Sequence, residues 1–343
     1  MRKPIYLCIV FTIAALAQPA AKPTAKAKSK LDAKAAAPAP PATGIKTPGV
    51  QIPFASLKPE AEIPLLPSWM VFTDSPLAPT AEMNGLLKID VKANKLGEKY
   101  VELGKPCGGA VTAFGTLWIP ACGDQSIVRV DSKTGKVTKT LPVGTGSIAP
   151  EIAASSDSVW AFTDDRITVS RIDPETNEVV AEFRILPDCS GLMSGESSLW
   201  VACPAENRVL RINPALNQVE KEIETSPGPK QLVFGESSVW VLCEKDGKID
   251  RIDPKTNKVT KTIELGTSAA GGSIADGLGS LWVTMPGFPL TRIDTGTEKV
   301  VQQFYGEGGG AIYVGSGALW LTNPAAKTLL RIDPKRVAAT LAE

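Results

Sequence analysis

A seven-bladed β-propeller is the fold this sequence predicts, and three observations predict it. Six tryptophans, Trp118, Trp160, Trp200, Trp240, Trp282 and Trp320, recur at intervals of 38–42 residues. Each is followed 12 or 13 residues later by an Asp or Asn: Asp131, Asp173, Asn213, Asp253, Asp294 and Asp333. Runs such as SSLWVAC, NRVLRINP and QVEKEI alternate apolar and polar residues, the two-residue period of half-buried strands. A period of this length with no helix signal fits radial blades better than a solenoid.

In chain order, the first element is a leader. Arg2 and Lys3 precede the apolar run Ile5–Ala17, which is too short to span a bilayer, and Ala15-Leu16-Ala17 offers a small-x-small cleavage site. Residues 1–17 are therefore expected to be a signal peptide, with an uncleaved anchor as the alternative. Residues 18–48 are Ala, Lys and Pro with little that could form a core, so a disordered tether is expected. Its six lysines could touch an anionic cell wall, and a plain solvated spacer is the simpler reading. Of the 37 basic and 36 acidic residues, eight basic and one acidic lie in 1–48, so the remainder is net acidic by six. That excludes a basic nucleic-acid footprint on the folded part.

Residues 49–343 carry the propeller, in repeats centred on Leu77, Trp118, Trp160, Trp200, Trp240, Trp282 and Trp320. Each copy reads as four antiparallel strands: A, a turn, B with its Trp, C ending in Asp, a turn, and D. In the fullest C–D segment, RIDPKTNKV at 251–259, Pro sets φ at the turn and Asp can bond backbone N–H groups two residues on. Asn, or Gly135 in the second copy, can take the left-handed conformation that closes the hairpin. Gly115, Gly195, Gly235, Gly279 and Gly317, three to five residues before a Trp, are expected to form the A–B turn. The first copy is disguised. Lys88-Ile89-Asp90 matches the C–D hairpin, and 13 residues before Asp90 stands Leu77, so Leu77 takes the Trp slot and Trp69 belongs to strand A. Ala61–Leu65 then falls where a D strand belongs, with nothing earlier to pair with. It is expected to close the last blade, whose own turn after Asp333 is two residues short; Val337–Leu341 is the alternative.

Apart from Cys8, the cysteines are Cys107, Cys122, Cys189, Cys203 and Cys243. Folding A onto B brings Cys107 to Cys122 and Cys189 to Cys203, so two disulfides are expected in an exported chain. Cys243 faces Pro229 and is left unpaired. The alternative is that all five are small core residues. No zinc-ligand spacing is present.

The chain has no histidine, which removes Ser-His-Asp and Cys-His nucleophiles, His general bases and His metal ligands. GEGGG at 306–310 reads as a connector between blades. The basic residue before each turn acid (Lys88, Arg129, Arg171, Arg211, Arg251, Arg292, Arg331) recurs too regularly for a ligand site and implies a structural ring of charge. A site must break the symmetry. On the face carrying the D–A and B–C loops, Glu151 and Lys230-Gln231 do so at the start of strand A. Asp164, Asp165 and Arg166, then Cys243 with Glu244 and Asp246, and Asn323 do so after strand B. Glu151, Asp164, Lys230, Gln231, Cys243 and Asn323 are the candidate ligand residues; the plain alternative is that each is a solvated loop residue. Glu151 with Asp164 could hold a hard cation, Mg or Ca, through oxygen. No other cofactor is expected.

At the RIDPxTNKV hairpins and the xLWV or xVWV strands, residues 61–343 resemble the YVTN-type and virginiamycin B lyase-like propellers. The resemblance implies the propeller fold. Members of that family include a streptogramin lyase that uses histidine and a magnesium-binding acid, and none of those residues carries over to a chain without histidine. The expectation is a periplasmic or secreted, monomeric, non-enzymatic scaffold that binds a small molecule or protein near the central channel. The alternatives are a metal-dependent lyase or lactonase working through carboxylates, or a redox propeller using Cys243 or the disulfides.

Overall fold

The structure, a computed structural model, describes residues 41–80, 84–145, 151–164 and 167–341. The expected signal peptide, the tether up to residue 40, and Asp165-Arg166 lie outside the described residues. The described residues belong to the compact unit Pro38–Glu343. They form seven sheets, each taking its strands in the order A, B, C, D. Blades 1–6 span 71–102, 111–142, 152–184, 190–224, 229–264 and 273–305, and blade 7 takes A, B and C from 312–332.

Blade 7 is completed from the other end of the chain. Strand Ala61–Ile63 runs antiparallel to Thr328–Ile332, with Ala61 opposite Arg331 and Ile63 opposite Leu329. The alternative strand at Val337–Leu341 is not formed, because Pro334–Ala339 is a helix. The sequence explains why. In Asp253-Pro-Lys-Thr-Asn257 the last residue takes a positive φ of 55°. After Asp333 that place belongs to Val337, whose β-branched side chain disfavours the left-handed region. Asp-Pro then does what it does best at a helix start: the Asp333 carboxylate accepts from Lys335 N, and Pro334 occupies the first turn. Val337 is fully buried between blades 6 and 7.

The repeat register holds in every blade. Each B-strand Trp lies opposite the C-strand Arg, as in Trp118–Arg129 and Trp200–Arg211. Leu77 lies opposite Lys88 in the same way, and so occupies the Trp slot. The core consists of seven apolar clusters, one at each junction between neighbouring blades. The Trp of one blade packs against the next: Trp160 into blade 4, Trp200 into blade 5, Trp320 into blade 1. Between blades 1 and 2 the tryptophan is Trp69, beside Leu77. Trp69, expected in strand A, stands just before it, since that strand is only Val71–Phe72, and from there the indole serves the same junction.

The charge ring has a specific task. Each Arg guanidinium lies 4.8–5.8 Å from the Trp ring centroid of its own blade. Four of them reach the following blade's C–D turn through its backbone carbonyl and its Asn. Arg211 Nη1 donates to Pro254 O at 2.6 Å and to Asn257 Oδ1 at 2.7 Å. Arg171 and Arg129 repeat this one and two blades earlier. Arg331 does the same to Val91 O and Asn94 Oδ1, carrying the link from blade 7 to blade 1.

Two features differ from expectation. Gly115, Gly279 and Gly317 form A–B turns at positive φ, but Gly195 and Gly235 end strand A instead. Their turns are made by Glu196-Ser197 and Glu236-Ser237, all at positive φ. The N-terminal segment is also bound to the propeller before residue 49. Gly44 N donates to Gly266 O, and Ile45 N to Gln303 Oε1 at 2.8 Å. Gln51–Pro53 then pairs parallel with strand D of blade 6 as a fifth strand.

Candidate functional site

From blade 1 to blade 7 strand A of each blade touches strand A of the next, and Phe72 of blade 1 sits against Gly315 of blade 7, so these strands ring the axis; among the described residues no further strand pairs with their inner edges. Such an edge leaves backbone groups needing partners. Side chains supply several of them across the blade junctions. Glu151 Oε2 accepts from Leu192 N at 2.7 Å, joining blade 3 to blade 4. Ser190 Oγ donates to Lys230 O at 3.1 Å. Gln231 Oε1 accepts from Ile274 N at 3.1 Å while its amide donates to Gly272 O. Ser273 Oγ accepts from Ile312 N at 3.3 Å.

The far end of strand A is built on glycine. A Cβ on Gly195 would sit 2.6 Å from the Phe234 ring. Gly235 likewise makes room for the Asp276 carboxylate, Gly277 for Val314, and Gly315 for Phe72. Each residue so housed belongs to the following blade and directly precedes that blade's glycine or opens its strand pair. Three of the four are apolar, and Asp276 is the exception. Burial, with the Glu236 charge nearby, pushes its carboxyl above the usual carboxylate range, against a bond from Gly277 N that favours the charge.

The seven A strands enclose a channel cavity of about 580 Å³. That volume lies within the roughly 300–1,000 Å³ typical of small-molecule sites. Trp69 and Phe72 line it from blade 1, Glu151 from blade 3, Gln231 from blade 5, Asp276 from blade 6 and Tyr313 from blade 7. Tyr313 Oη donates to Ser68 O at 3.1 Å, and burial raises its hydroxyl pKa.

Of the residues expected from sequence, the structure brings Glu151 and Gln231 together in this channel. Lys230, next to Gln231, turns away and pairs with Glu244 Oε2 at 3.2 Å. Asp164 lines a separate hollow of about 460 Å³ beside blade 3 and lies 3.9 Å from Arg184. Glu151 and Asp164 thus line different cavities, and among the described residues no group of three or more His, Cys, Asp or Glu could hold a metal. Asn323 caps its own turn, accepting from Ala326 N. Cys107–Cys122 and Cys189–Cys203 are disulfides, each joining A to B within one blade. Cys243 stands opposite Pro229 with a free thiol and no exposed surface. Burial first, then the charge of Asp250 beside it, raise its pKa and hold it protonated. Asp250 is itself buried, its oxygens accepting from Ser226 N, Ser226 Oγ and Thr262 Oγ1.

Asp276 is the channel residue that reading the repeats overlooked. The signal was present: aligned on the Trp, the residues before Gly235, Gly277 and Gly315 are Phe234, Asp276 and Val314.

No protein-family model matches the chain, and no curated protein sequence matches it. Solved structures do. Virginiamycin B lyase from Staphylococcus aureus superposes with a TM-score of 0.64 at 16% identity, covering 79% of this chain and 95% of that one. A catalytically inactive histidine-to-alanine form of that lyase, with quinupristin, gives 0.65 at 17%, covering 78% and 94%. BamB from Moraxella catarrhalis gives 0.55 at 13%, covering 76% and 79%. At these identities the likeness is one of fold.

Proposed function

We propose that this chain is an exported, non-enzymatic propeller scaffold that holds a ligand or partner at the central channel. One observation carries the reading. The lyase of similar fold is catalytically inactive in a form with a single histidine replaced by alanine, and this chain contains no histidine at all. Other groups the sequence singled out have structural tasks. Glu151 and Gln231 hold backbone edges together, and the Cys243 thiol is sealed in a protonated state, which speaks against a redox role. Two disulfides in one propeller fit an oxidising compartment, periplasmic or extracellular.

The test is to incubate the purified chain with quinupristin, with and without Mg²⁺ or Ca²⁺, and to analyse the compound by chromatography alongside metal content. Quinupristin recovered unchanged and no stoichiometric metal are the expected results. Turnover, or a bound divalent ion lost on Glu151→Gln or Asp164→Ala, would establish the carboxylate-based enzyme instead.

A further inference from the structure

We propose that the channel takes a small organic cation of the alkylammonium type. This deepens the scaffold reading and rests on the channel being the binding site. Charge gives the first argument. Two carboxylates, Glu151 and Asp276, line the cavity from blades 3 and 6, and among the described residues no Lys or Arg lines it. Asp276 stands where the same glycine-housed position holds Phe72, Phe234 or Val314 in other blades. Placing an acid in that ring costs solvation, which a cation in the cavity would offset.

Shape and surface give the second. Phe72 and Tyr313 line the cavity at the junction of blades 7 and 1, where Tyr313 Oη is bonded to Ser68 O and Phe72 packs on Gly315, and Trp69 lines it from the junction of blades 1 and 2. Aromatic rings attract alkylated ammonium groups through their quadrupoles and also accept the apolar alkyl surface. An anion would meet two carboxylates. A neutral apolar ligand would take water from both carboxylates and offer neither a counter-charge. A bare metal ion would need several oxygen ligands converging, and among the described residues there is no such group. An organic cation satisfies the acids and the aromatics together.

The experiment uses choline and its neutral carbon isostere, 3,3-dimethylbutan-1-ol, titrated into the full chain by calorimetry and tryptophan fluorescence. Choline should bind saturably, and the isostere about tenfold or more weakly. Glu151→Gln keeps an acceptor for Leu192 N and Asp276→Asn keeps the shape. Each should weaken choline about tenfold while leaving isostere binding and the melting transition in place. Trp69→Phe supplies a third lining variant. Equal affinity for the two probes, or no choline binding into the tens of millimolar, would refute the cation assignment and leave the channel open to another ligand. Choline binding unchanged by all three substitutions would refute the channel itself as the site.

Discussion

Single acceptor atoms hold the C–D turns in shape. Asp131 Oδ1 accepts from Lys133 N and Thr134 N, and Asp90 Oδ1 from Lys92 N and Ala93 N. These bonds favour the ionised form, so Asp90, Asp131, Asp253 and Asp294 are all held below the usual carboxylate range. A depressed folded pKa means that the stabilisation is complete above the unfolded value, about 3.9, and is lost as pH falls through the folded one. Blade 4 carries a natural control: Asn213 Oδ1 accepts from Ala215 N and Leu216 N with no charge. Asp253→Asn should therefore fold normally and show a shallower loss of stability from pH 5 to 2 in thermal melts; an unchanged slope would count against the assignment. Cys243 gives a second residue-scale expectation. In the chain from residue 18, which has five cysteines, no thiol should react natively at pH 8, one should react after unfolding without reductant, and five after reduction. Five reactive thiols in unreduced protein would mean that the disulfides are absent.

Arg links join the strands of one blade to the turns of the next, and their chemistry was half legible. Regular recurrence of Arg before the turn acid pointed to a structural role, and the turn residues followed from φ preferences alone. What recurrence does not reveal is that Arg129, Arg171, Arg211, Arg251 and Arg331 each serve two blades. Arg211 lies 5.2 Å from the Trp200 centroid, takes Ser198 Oγ through Nε, and spans to Pro254 and Asn257 of blade 5. A lysine has one ammonium and cannot make that fork. Arg211→Lys should cost about 1–3 kcal/mol in denaturant unfolding, and a loss below 0.5 kcal/mol would show that the link is incidental. The same element scale explains where the glycines were misread. Gly195 and Gly235 lie near enough to the Trp to suggest a turn, but their small size is needed by Phe234 and Asp276 of the next blade, which no local pattern contains.

The whole ring depends on a strand from the start of the chain. Ile63, Leu65 and Leu57 are buried against blades 6, 7 and 1, and each such aliphatic side chain contributes about 1.5–3 kcal/mol. Removing residues 1–40 should leave the melting temperature unchanged, whereas removing residues 1–66 should lower stability by roughly 5 kcal/mol or more. Equal melting of the two truncations would refute closure by Ala61–Ile63. The repeat period, the blade count, the register that exchanges Trp69 for Leu77, the two disulfides and the N-terminal closure all followed from sequence, because each depends on spacing along the chain and on the conformational preferences of a few residues. The parallel strand Gln51–Pro53, the docking of Gly44 and Ile45, and the composition of the channel did not. Glu151 and Gln231 stood out by breaking the repeat, but Asp276, Trp69, Phe72 and Tyr313 come from three blades up to about 245 residues apart in sequence. Only closing the ring brings them to one cavity, since strand periodicity says which face a side chain takes and not what lies across the axis from it.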